Sequence, residues 1–113
     1  MTVDDIKAWT LIHVCGRLRG QSWHTTIPAF CQTMRCGDWV LASDALRSMV
    51  DSGLALIYRW IPDGGYASRV PVSAASVDAV IFHGSFLIAP TPKARALFEK
   101  VCAQTASSAD RKV

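Results

Sequence analysis

The apolar positions change period along the chain, and each change marks an element. In the segment from Val3 to Gly20, Ile6, Trp9, Leu11, Ile12, Cys15 and Leu18 fall on one broad helical face. Asp4 and Asp5 in its first turn and Arg17 and Arg19 near its end suit the helix dipole, and Gly20 is a stop. "QSWHTT" reads as a loop, with Thr25 or Thr26 capping a short second helix that carries Pro28 in its first turn and runs to about Met34. After the turn "RCGD", Asp38 is the expected N-cap of a third helix, "WVLASDALRSMVDS", with Gly53 at the C′ position. There the helical spacing gives way to a near-continuous apolar run, so "LALIYRWI" is a strand, "PDGG" a turn and "YASRVPV" its returning partner.

Beyond the hairpin the pattern is less regular. "SAASVDA" is a small-residue connection of open structure, and "VIFHGSFLIA" reads as one or two short strands around a turn at His83 and Gly84. "TPKARALFEKVCAQ" is a helix capped by Thr91, with Pro92 first and Ala94, Leu97, Phe98 and Val101 on its apolar face. The expectation is one α+β domain over residues 1–105 and a flexible polar tail over 106–113. Leu46, Met49, Leu54, Ile57, Leu97 and Phe98 are expected to be buried together.

Composition narrows the class only modestly. With 113 residues, 50% of them hydrophobic and 19% charged, the chain has material for one core and no second one. A net charge of +3 permits nucleic-acid binding without requiring it. Acids stand where a secretory signal would be basic, and the apolar runs break before membrane-spanning length, so a soluble cytoplasmic protein is expected. Cys31 and Cys36, with Cys15, His13 and His24 nearby, lack the paired knuckles of a zinc site. Inert or buried thiols, and no cofactor, are the expectation. His13 reads as a partly buried helix residue. No nucleophile-elbow, zinc-protease, phosphate-loop or dinucleotide pattern occurs, which speaks against an enzyme.

Helix, helix, helix, hairpin, helix is the winged helix-turn-helix plan. "ALRSMVDSGLALIYRW" resembles the stretch of bacterial MarR- and PadR-type regulators in which the third helix runs through Gly-Leu into the first wing strand. "PDGGYASR" sits where their wing tip lies, "PTPKARALFEKV" is similar to their return into the last helix, and "TTIPAFCQTM" stands where their helix-turn-helix begins. The resemblance covers about residues 4–104. It implies a homodimeric regulator binding double-stranded DNA, with the third helix in the major groove and the wing on the backbone. Matched position by position, the groove would meet Trp39, Val40, Ser43, Asp44 and Arg47, and the wing would contribute Arg59, Tyr66 and Arg69, with Arg35 available for phosphate.

The chain departs from that family at these positions. Base edges and phosphates call for Lys, Arg, Ser, Thr, Gln or Asn, whereas Trp39 and Val40 open this helix and Asp44 and Asp51 follow. Trp39 also continues the stripe of Ala42, Leu46 and Met49, so core and surface readings both stand for it. Two functions therefore compete: a DNA-binding transcriptional regulator, and a winged-helix module that has lost DNA binding and docks a protein partner. A small mobile-element or phage-type modulator of a host protein would fit the second.

Overall fold

The computed structural model describes residues 2–17 and 20–111, without the side chains of residues 17, 62, 63, 67 and 105–111. Leu18 and Arg19, assigned above to the first helix, lie outside the described residues. Helix α1 (Val3–Leu11) starts with a capping box in which Thr2 and Asp5 exchange side chain-to-backbone hydrogen bonds. The chain continues as a π-helical extension over Ile12–Arg17. Its buried line is Ile6, Thr10 and Val14, whereas Trp9 and Ile12 turn outward, so the predicted face is rotated. The widened turn of the extension shifts the register that a uniform period of 3.6 assumes.

Strand β1 (Ser22–His24) occupies the stretch read as loop. Thr26 caps α2 (Ile27–Met34), with Pro28 in the first turn as expected. Arg35 ends that helix in the left-handed conformation at φ 54°, where the amide of Cys36 reaches back to the Cys31 carbonyl at 2.9 Å. Asp38 caps α3 (Trp39–Asp51) by accepting from the amides of Val40 and Leu41. At its other end Gly53 takes φ 74°, and the amides of Gly53 and Leu54 return to the carbonyls of Val50 and Met49, a Schellman closure. The last helix is fastened to this corner, because Thr91 donates to the Gly53 carbonyl and Lys93 to that of Ser52.

Strands β2 (Ala55–Asp63) and β3 (Tyr66–Pro71) form the expected hairpin. A short 3-10 turn over Ala74–Ser76 then leads into helix α4 (Val77–His83) and strand β4 (Phe86–Pro90). The first half of "VIFHGSFLIA" and the end of "SAASVDA" are thus helical: Val77 and Ile81, four residues apart, are both fully buried. Strand β4 inserts between β1 and β2, giving one antiparallel sheet in the order β1-β4-β2-β3. Helix α5 spans Pro92–Arg111, into the stretch expected to be tail.

One core joins these elements. Phe30 and Met34 of α2, Leu46 and Met49 of α3, Ile57 of β2, Ile81 of α4, and Phe86 and Ile88 of β4 are all buried. Of the six residues expected there, Leu46, Met49, Leu54 and Ile57 belong to it. Leu97 is 39% exposed and Phe98 half-buried, because α5 touches the body chiefly through Ala94 and the extension of α1. A Cβ on Gly16 would lie 2.9 Å from the Phe98 ring, so the absence of a side chain at Gly16 lets α5 approach. Among the described residues, no helix is long and apolar enough to cross a membrane.

Candidate recognition surfaces

Helix α3 presents a single outward stripe, Val40, Asp44, Arg47 and Asp51, at spacings of four, three and four residues. Its opposite side, Ala42, Ala45, Leu46 and Met49, is core. Val40 is 68% exposed and Trp39 51%, which settles Trp39 on the surface: the stripe of Ala42, Leu46 and Met49 ends one turn short of it. Of the predicted groove residues the stripe leaves out Trp39, which stands exposed beside it, and Ser43. Ser43 is buried, with its hydroxyl oxygen lacking a hydrogen-bond partner among the described residues, so it faces the core and no groove.

Arg47 is the cation of this stripe, and it is engaged. One guanidinium nitrogen pairs with Asp44 one turn back on α3, and the other reaches the carboxylate of Asp78 on α4 at 3.0 Å. The two carboxylates raise the guanidinium's affinity for its proton, first through the hydrogen bond that Arg47 donates to Asp44 and then through the one it donates to Asp78. Helix α4 therefore lies along α3 on the side of Arg47. Asp38, Asp44, Asp51 and Asp78 set four carboxylates against that one guanidinium on α3, its cap and its α4 contact. The Lys7 ammonium of α1 also reaches this helix, donating to the Ser48 hydroxyl at 3.2 Å. The face therefore carries more carboxylates than cations, with an apolar tip at Trp39 and Val40.

The predicted wing residues separate in space. Tyr66 stands at the hairpin end, 81% exposed, and pairs in register with Asp63. Arg69 is exposed on β3 opposite Trp60 of β2. Arg59 instead lines a concavity of about 420 Å³ with Trp23, Trp60, Ala79, Val80, His83, Gly84 and Ser85. Trp23 and Trp60 meet there edge to face, ring centroids 5.2 Å apart. Sequence reasoning missed this pair because β1 and β2 are joined only through β4, an arrangement no local pattern encodes.

Two further chemistry-bearing side chains, His24 and Cys31, are packed in the core. His24 is buried between Phe30 and Phe86, ring centroids 5.3 and 5.6 Å away, with Nε2 2.9 Å from the Ser22 hydroxyl. Burial, and secondarily nearby His13, depresses its pKa from 6.5 to about 4. Burial likewise pushes the Cys31 thiol up to about 11, while Cys102 is exposed on α5. Among the described residues no three His, Cys, Asp or Glu side chains come together as metal ligands would. No known family pattern, curated protein or solved structure matches this chain.

Proposed function

We propose that this chain is a protein-interaction module on a winged-helix plan, whose third helix docks a basic, apolar-tipped segment of a partner in place of a DNA groove. The order of α1, a short strand, α2, α3 and a hairpin supports the winged-helix part. The α4–β4 excursion is an addition to the MarR/PadR-like plan. The observation that carries the functional part is the Asp44–Arg47–Asp78 cluster. A duplex approaching α3 would meet more carboxylates than cations, and the guanidinium suited to a guanine edge or a phosphate is shared between Asp44 and Asp78. The same face offers Trp39 and Val40 for apolar contact and acids for complementary charge. The homodimer implied by the family plan belongs to this reading, with α5 and its exposed Leu97 as the pairing surface.

The test compares proteins captured by the wild type, Val40→Asp and Arg69→Ala, each identified by mass spectrometry. A partner kept by the wild type and Arg69→Ala but lost by Val40→Asp supports docking on α3. A partner kept by all three variants argues against this surface.

A further inference from the structure

A second site lies where β4 joins the sheet. The pairing of β2 with β4 ends at Tyr58 opposite Leu87, while β2 and β3 stay paired out to Asp63 and Tyr66. Beyond Tyr58, β2 therefore has a partner on one edge and opens on the other. That opening is the concavity of about 420 Å³, closed by Trp23 of β1, by Ala79, Val80 and His83 of α4, and by Gly84 and Ser85. Two properties define its chemistry. The indoles of Trp23 and Trp60 are 40% and 37% exposed, leaving ring surface open to a ligand. The charged and polar residues of the lining are Arg59, His83 and Ser85, with no carboxylate, and Arg59 forms no ion pair among the described residues. Arg59 and Trp60 are consecutive in β2 and project to opposite faces of the sheet, so the opening is flanked by the indoles on one face and by the guanidinium on the other.

We propose that this notch binds a nucleotide, its base against the Trp23–Trp60 pair and its phosphate on Arg59 and His83. The volume is of the order that small-ligand sites occupy. Stacking on indole is tolerant of base identity, and a planar guanidinium recognises phosphate by paired hydrogen bonds. A cationic ligand would be repelled by Arg59, and an uncharged apolar one would leave the guanidinium unused. Arg69, directly across the hairpin from Trp60, shares its face of the sheet and is available to a neighbouring phosphate of a strand. The ligand is therefore a free mononucleotide or one unit of a single strand. The site is separate from the α3 face and stands whichever partner that face takes.

The four tryptophans give a site-resolved readout, since each indole N–H yields its own signal in a two-dimensional nitrogen–proton spectrum. Titration with AMP should shift the signals of Trp23 and Trp60 saturably and leave those of Trp9 and Trp39 in place. Adenosine, without the phosphate, should bind about tenfold more weakly or worse, and Arg59→Gln should abolish that difference. A short oligoadenylate binding at least about tenfold more tightly than AMP assigns the site to single strands, and equal binding assigns it to free nucleotides. The proposal is overturned if AMP moves no indole signal, if it moves all four alike, or if AMP and adenosine bind equally to the wild type.

Discussion

Acidification should destabilise this fold well before its carboxylates titrate, and His24 is the cause. In the native state the imidazole is wedged between Phe30 and Phe86 and only 5% exposed. Its pKa falls from 6.5 to about 4, whereas the unfolded chain returns it to the ordinary value. Between those values the unfolded state binds a proton that the native state refuses, so stability drops as pH falls through that window. The full shift corresponds to about 3 kcal/mol, and the part expressed between pH 7 and pH 4.5 is roughly 2–2.5 kcal/mol. For a domain of this size that is a substantial fraction of the total. Urea unfolding at the two pH values, for the wild type and for His24→Gln, measures it. The variant removes the titrating group, so its stability should change much less over the same interval, whatever its absolute value. A wild-type loss below about 0.5 kcal/mol, or an equal loss in the variant, would refute the placement of His24 in the core.

Three further outcomes are expected. Leu46→Ala should cost about 2–5 kcal/mol in equilibrium unfolding, because a fully buried side chain at the α3 contact leaves a cavity. Ser43→Ala should be neutral or stabilising by up to about 1 kcal/mol in the same assay, since it deletes a buried hydroxyl without a partner. A residue facing a groove would instead show no stability change and a loss of binding. In thiol titration under native conditions, Cys102 should react first, with Cys31 and Cys36 protected until the protein unfolds.

Legibility in the sequence followed the range of the signals. The caps at Thr26, Asp38 and Thr91, the Gly53 closure and the hairpin are set by residues within a few positions of one another, and all stand where the sequence places them. Helix α4 is hidden in the sequence because Val80, Ile81 and Phe82 are β-branched or aromatic, a composition that reads as strand, while Val77 falls in the stretch read as a connection. Their i, i+3, i+4 spacing was the available helical signal. The state of Arg47 is legible only in part: Asp44 stands one turn back on the same helix, but the second carboxylate is Asp78, brought alongside only by the packing of α4 on α3. The Trp23–Trp60 notch and the burial of Ser43 depend in the same way on tertiary placement.

The central claim, that α3 serves a protein partner and not a duplex, is tested most directly by binding to random double-stranded DNA at about 50 mM and about 200 mM salt. The account predicts negligible binding at the lower salt, and no change on Arg47→Ala, because that guanidinium is held by Asp44 and Asp78. Tight binding that weakens steeply with salt, and that Arg47→Ala diminishes, would contradict it.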